Sequence, residues 1–280
     1  MTAMDNLLGC NTLYPGGRLT DVRSQFGLKA QKEALHIIRD AGFDGCEFSH
    51  YECLSTAECG KLRAECDKIG LQPWSAHSWV ILPEDQKEAE EKLPLQRKSL
   101  DGAAALGVKV MVVHAASGRY DLTQPTQRHL RTAGLETSLV ALAPYTIALD
   151  LDIAIENCAG RAELEFLVAT LKTLTLFHVG FNIDTGHAAL SGMTPAEAIG
   201  LMGSRICTTH LQDNFGKQDD HLPPGCGSID WAATMAALQS ANYKKMLMVE
   251  ISDCPPGREP NAVEDTRKAC ENLRRLTGQA

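Results

Sequence analysis

ICTTHLQDNFGKQDDHLPPGCGSIDW, residues 206–231, holds the clearest structural statement in the chain. ICTTH is a short, β-branched apolar run that reads as a buried strand ending at His210. Pro223, Pro224, Gly225 and Gly227 then exclude a helix and mark an ordered loop. Asp230 stands where a helix N-cap belongs, ahead of the helical pattern WAATMAALQSA. The stretch is therefore one strand–loop–helix unit. Five nitrogen or oxygen donors, His210, Asp213, Asp219, Asp220 and His221, lie between its landmarks.

The same unit recurs on either side. Apolar runs at Leu7–Cys10, Gly45–Ser49, Leu71–His77, Val108–His114, Leu151–Asn157, His178–Asp184 and Lys245–Ile251 read as strands. Helical patterns alternate with them. The one at Ser55–Ile69 carries a capping box (Ser55, Glu58) and a terminal Gly70, and another starts at Thr194, Pro195 and Glu197. Glu84–Leu106 contains Pro94 and reads as two helices or one kinked helix. Eight strands alternating with eight helical regions in 280 residues, with no linker-like or low-complexity segment between them, predict a single-domain (β/α)8 TIM barrel, residues 1–280. A doubly wound open sheet is the competing architecture. It is disfavoured because the loop after the first strand, which includes YPGG at Tyr14–Gly17, lacks a GxGxxG turn.

Composition narrows the function classes. The formal net charge of −8, with both signs interspersed, argues against a sequence-independent grip on nucleic acid. The N-terminal MTAMDNLLGC lacks the basic and apolar regions of a signal peptide, and no run reaches the ~18 apolar residues of a spanning helix. Ten cysteines are scattered without a CxxC pair, as expected of free thiols in a reducing cytoplasm. No membrane association is expected, and a homo-oligomer is compatible with the sequence.

In a barrel of this kind, reactive groups sit at the C-terminal strand ends and in the loops that follow. Those positions hold Glu47, His77, His114, Glu156, Asp184, His210 and Glu250, with His187 three residues beyond Asp184 in DTGH. Five of the nine histidines (His77, His114, His187, His210, His221) fall there. Glu156 and Glu250 close the apolar runs IAIE and MLMVE, so their carboxylates point into the barrel mouth. An unpaired charge is costly there and must meet a proton, an arginine or a metal. No arginine stands at a strand end, which leaves a divalent cation held by Glu156, Asp184, His210 and Glu250 against the alternative of a purely structural hydrogen-bond network. This oxygen-rich donor set suits Mn2+, Mg2+ or Co2+, and also Zn2+.

The series E…DTGH…H…E, with DDHLPPGCGSIDW after the seventh strand, resembles the xylose-isomerase-like barrel superfamily over essentially the whole chain. The likeness is greatest to its sugar phosphate isomerase/epimerase branch. It implies an enzyme of carbohydrate metabolism: a metal-dependent isomerase or epimerase that moves a proton next to a carbonyl through a metal-stabilised enediolate, or a related keto-sugar dehydratase or lyase. It also implies that Glu156, Asp184, His210 and Glu250 hold one divalent metal, with Glu156 and Glu250 as acid and base. A small sugar would meet Glu47, His77, His114, His187, Asp219 and His221. The loops with Tyr14, Trp74 and Trp79 would shape its pocket. The arginine that ketose 3-epimerases carry after the seventh strand has no clear counterpart; Lys217 is the nearest cation. The superfamily also contains endonuclease IV, a three-zinc nuclease. Its pattern can be laid on His77, His114, Glu156, Asp184, His187, His210, Asp219, His221 and Glu250. A catalytically dead barrel acting as a binding protein is the third reading, disfavoured by the intact glutamates.

Overall fold

A computed structural model describes residues 4–12, 22–252 and 261–279. Tyr14 and the YPGG stretch lie outside the described residues. Eight parallel strands follow one another: β1 (Leu8–Asn11), β2 (Gly45–Ser49), β3 (Gln72–His77), β4 (Val110–His114), β5 (Asp152–Glu156), β6 (Val179–Asp184), β7 (Ile206–His210) and β8 (Leu247–Val249). Their order in the sheet is β7-β6-β5-β4-β3-β2-β1-β8, so each strand pairs with its neighbours in sequence and β8 returns beside β1. This is the TIM barrel expected from the sequence.

The seam between β7 and β8 is closed partly by a side chain. The Thr209 hydroxyl accepts from the Met248 amide at 2.9 Å and donates to the Met248 carbonyl at 3.1 Å. The Leu211 amide donates to the same carbonyl at 2.8 Å.

The connecting helices are α1 (Val22–Phe26), α2 (Leu28–Asp40), α3 (Thr56–Ile69), α4 (Gln86–Leu106), α5 (Pro125–Leu149), α6 (Gly160–Leu174), α7 (Thr185–Leu190), α8 (Pro195–Met202), α9 (Trp231–Ser240) and α10 (Ala262–Thr277). The capping boxes of α3 and α8 form, and Asp230 caps α9 by accepting from the Ala233 amide. The segment with Pro94 is one continuous helix, α4. Pro94 is exposed, on a face of the helix where the carbonyl that loses its partner can be solvated, so the helix need not break.

Strand pleating places the polar residues. Val110 and Val112 of β4 and Ala154 of β5 meet inside the barrel. Met111, Val113, Ile153 and Ile155, in the opposite phase, face the helical layer. Continuing the inner phase by two residues puts His114 and Glu156 at the C-terminal rim. On the last strand, Leu247 and Val249 face outward and Met248 inward, so Glu250 follows the inner phase. Lower in the barrel, Gly9 and Gly45 leave room for methionine: a Cβ on Gly9 would stand 2.5 Å from Met248 Cε, and one on Gly45 2.3 Å from Met246 Cε. Trp74 belongs to this inner packing, its indole donating to Thr208 Oγ1 at 3.1 Å, so it shapes the barrel interior.

The seam yields a stability prediction. Thr209→Val keeps the volume but strips the buried Met248 amide of its acceptor, which costs roughly 1–3 kcal/mol. Thr209→Ser retains most of the stability. Urea unfolding of the three proteins checks this; a Val variant within about 0.5 kcal/mol of the parent excludes the hydroxyl as a closure element.

Candidate active site at the barrel mouth

His210 stands at the centre. Its Nε2 lies 3.0 Å from Glu47 Oε2, and its Nδ1 lies 2.9 Å from Glu156 Oε2 and 3.0 Å from Glu250 Oε2. Glu47 is fully buried and also accepts from Ser75 Oγ at 2.6 Å, so it braces His210 from one side while both glutamates of the apolar strand ends converge on the other. Asp184 caps α7 through a 2.7 Å bond from the His187 amide, and Gln212 Nε2 donates to it at 3.3 Å. Donor atoms of Glu156, Asp184 and His210 lie within 4.8 Å of one another, as do those of Glu47, His77, His210 and Glu250.

The remaining histidines surround this centre. His77 Nδ1 lies 3.4 Å from Glu250 Oε1, and its Nε2 is 3.1 Å from His114 Nε2. His114 Nε2 and His187 Nδ1 approach Glu156 Oε1 at 3.4 and 2.9 Å. Asp219 Oδ2 lies 3.2 Å from His187 Nε2 and 2.9 Å from His221 Nε2, and His221 Nδ1 is 3.7 Å from Glu250 Oε2. All ten site residues singled out in the sequence thus gather at one rim.

Four neighbours were not among them. Asn182 donates to Glu156 Oε2 at 2.8 Å, and Gln212 links Asp184 to Asp219 Oδ1. Cys158 reaches Glu156 Oε1, its Sγ 3.6 Å away. His50, buried beside His77 with its ring 4.5 Å from that of the rim residue Trp79, follows β2 directly. Its place after a strand was the signal available for it, as ENC after the fifth strand was for Cys158.

The proline–glycine loop is shaped by Asp213. This buried carboxylate accepts from Trp231 Nε1 at 2.8 Å and from the amides of Asn214, Gly225 and Ile229 at 3.0, 3.0 and 3.1 Å. Gly227 passes so near that a Cβ would stand 2.4 Å from Asp213 Oδ1. Asp213 is thus a loop organiser, whereas Asp219 and His221, on the same loop, reach the centre.

The electrostatics are those of a carboxylate cluster balanced by imidazoles. Among the described residues, the ion-pair partners of Glu156 and Glu250 are histidines. Burial pushes the Glu156 carboxyl up, but His210 and His114 reverse this and hold it well below the usual carboxylate range. His210 and His221 do the same to Glu250. Burial would lower His210, yet the charges of Glu250, Glu47 and Glu156 raise it well above an ordinary imidazole. Asp184 is pushed up to about 6, chiefly by burial and against the pull of His187.

The donor geometry fits a cation. The buried Nδ1 atoms of His77, His187 and His210 lie at ion-pair distance from carboxylates without making hydrogen bonds to them. His77 and His210 have donor atoms in one cluster with Glu47 and Glu250, and His187 has one in another with Glu156 and Cys158, groupings of the kind that can hold a metal ion.

The sequence profile of the xylose isomerase-like TIM barrel family matches residues 35–276. An uncharacterized protein of Sinorhizobium fredii is 28% identical over 255 residues, covering 78% of this chain and 80% of that one. The barrel is also similar to the crystal structure of a D-psicose 3-epimerase in the presence of D-fructose, at 18% identity and a TM-score of 0.71, over 97% of this chain and 99% of that one. It is similar too to that of the IOLI protein with a bound zinc atom, at 18% identity and a TM-score of 0.75, over 98% of each chain. With the family profile spanning the barrel from α2 to α10, the chain belongs to the xylose isomerase-like TIM barrel family.

Proposed function

We propose that the protein is a divalent-metal-dependent isomerase or epimerase of a small sugar or keto-sugar. The observation that carries this reading is the convergence of Glu156 Oε2 and Glu250 Oε2 on His210 Nδ1, at 2.9 and 3.0 Å, inside a ring of further histidines. The fold likeness to a D-psicose 3-epimerase and to a zinc-bound barrel supports it. Glu156, Asp184, His210 and Glu250 would hold the ion. Glu47 orients His210 by occupying its Nε2, which leaves Nδ1 for the centre. A bound divalent cation supplies Lewis-acid polarisation of a carbonyl and an adjacent hydroxyl oxygen.

The chain's own groups do the rest. Glu156 and Glu250 come from strands separated by two others, so a carbon placed between them meets a carboxylate on each face. The surrounding histidines hold both glutamates ionised, so either can accept the proton next to the carbonyl. An epimerase must then return a proton on the opposite face. His77 stands between the two glutamates, 3.4 Å from Glu250 Oε1 and 4.0 Å from Glu156 Oε2. His114, His187, Asp219 and His221 offer hydrogen bonds to sugar hydroxyls. Proton removal followed by loss of a neighbouring hydroxyl, a dehydratase outcome, would use the same base. The nuclease reading draws on the convergence of all nine overlaid positions.

Three outcomes test this. Chelator-free protein should carry at least one divalent ion per chain, and the affinity of stripped protein should rise with pH. Binding requires Asp184 to lose a proton held up to about 6, and His210 one held well above the usual imidazole range. Each proton released gives about tenfold in affinity per pH unit, so calorimetry across pH 5–8 reads the slope. A flat profile, or no binding of Mn2+, Co2+ or Zn2+, removes the metal from the proposal. Glu156→Gln and Glu250→Gln should each lower turnover by at least ~10²-fold, with loss of solvent deuterium uptake at the substrate carbon. Either variant retaining more than about a tenth of parental turnover with metal bound rules out the two-glutamate assignment. Finally, an oligonucleotide containing an abasic site should remain intact, and clean incision would move the choice to the nuclease.

A further inference from the structure

Gln212, two residues beyond His210 and fully buried, is fastened to the DTGH turn by backbone and side chain alike. Its amide donates to Thr185 Oγ1 at 3.0 Å, and that hydroxyl donates to the Gln212 carbonyl at 2.6 Å. Its side chain lies against Gly186, where a Cβ would stand 2.2 Å from Gln212 Oε1. A side chain at 186 would drive the carboxamide off its partners, so the two middle residues of DTGH, unused by the chemistry above, serve to seat Gln212. There Nε2 donates to Asp219 Oδ1 at 2.8 Å and, at 3.3 and 3.4 Å, to the two oxygens of Asp184. Only the nitrogen can take this place, because the amide oxygen would meet two carboxylates. The arrangement leaves Oε1 as a buried atom that accepts no hydrogen bond among the described residues, which carries its own cost.

Asp219 is the joint between this amide and the histidines. Its Oδ2 meets Nε2 of His187 at 3.2 Å and Nε2 of His221 at 2.9 Å, while Gln212 holds Oδ1. With both oxygens engaged the carboxylate cannot turn about its Cβ–Cγ bond. Each ring then presents Nδ1 to a glutamate of the centre, His187 to Glu156 at 2.9 Å and His221 to Glu250 at 3.7 Å. From this chain of contacts we propose that Gln212 is a positioning residue that couples an ion held by Asp184 to the loop donors Asp219 and His221. The inference rests on the metal-dependent function proposed above. An ion on Asp184 fixes that carboxylate, a fixed Asp184 gives the Gln212 amide one position, and the amide then sets Asp219. His187 also joins the two acids, through its amide to Asp184 and its ring to Asp219, but it reaches only Oδ2 and leaves that carboxylate a pivot. Gln212 removes the pivot. By linkage, order that the ion brings to the loop returns as affinity for the ion.

Hydrogen exchange followed by mass spectrometry tests the coupling, on chelator-stripped protein with and without a saturating divalent ion (whichever of Mn2+, Co2+ and Zn2+ binds). A merely structural residue would shift the loop equally in both states. In the parent, the ion is expected to slow exchange of the amides of residues 215–221 at least about fivefold. Gln212→Met keeps the volume but loses both bonds, and Gln212→Asn keeps the amide but is one methylene too short to span both acids. Each should still bind the ion, about fivefold more weakly, while the ion no longer protects the loop. Parental exchange along the β4–β5 ladder shows that a variant is folded; where the Met variant is not, the Asn variant decides. A folded variant whose loop responds to the ion as the parent does overturns the coupling. So does a parent that binds the ion without any change in the loop, and in both cases the proposed function stands. Absence of binding by all three ions overturns both.

Discussion

Carboxylates at the ends of apolar strands are the constraint on which the mouth of this barrel depends. Glu156 and Glu250 are buried, and the pleat of their strands leaves them no direction but inward. Burial of a charge without compensation costs more than a fold of this size can spare. The chain meets that cost with imidazoles: four reach Glu156 and three reach Glu250 within 4.0 Å. The result is a cluster rich in ligands for a cation, because the proton that the carboxylates hold on His210 can be exchanged for a share of one.

The proline–glycine loop solves a different problem. A segment that must carry Asp219 and His221 to the rim has no strand or helix to hold it, so Asp213 does so from within. One carboxylate takes up three amides and an indole N–H. Those bonds explain why the prolines, glycines and the Trp231 that follow form a single motif. The functional donors of the loop ride on a structural knot tied by Asp213.

Much of this was legible in the sequence because it is periodic. The alternation of strand and helix gave the barrel, and an apolar run ending in an acid placed Glu156 and Glu250. DTGH set His187 three residues beyond Asp184, although the short helix α7 and the cap that joins them emerge only in the structure. What stayed hidden depends on contacts between strands. Glu47 reads as one more rim residue, yet it lies beneath His210, at 0% exposure, as a brace. Cys158 resembles any other scattered thiol until β4, β5 and α7 bring His114 and His187 beside it. Gln212 follows His210 by two positions, and nothing in a one-dimensional pattern shows its amide spanning Asp184 and Asp219. Pro94, which left open two helices or one kinked helix, lies on the exposed face of a single helix.

The seam between β7 and β8 lies one residue below His210 and two below Glu250, where Thr209 and Met248 hold the barrel shut. The two edge strands of the sheet, β7 and β8, therefore bring their donors to one centre only while the sheet is a closed cylinder. A ligand that grips His210 and Glu250 together also grips the two edges of the sheet. Opening of the seam and release of that ligand become one event, so occupancy would slow hydrogen exchange at the Met248 amide more than at amides of the β4–β5 ladder. Barrel closure is, in this sense, part of the binding equilibrium.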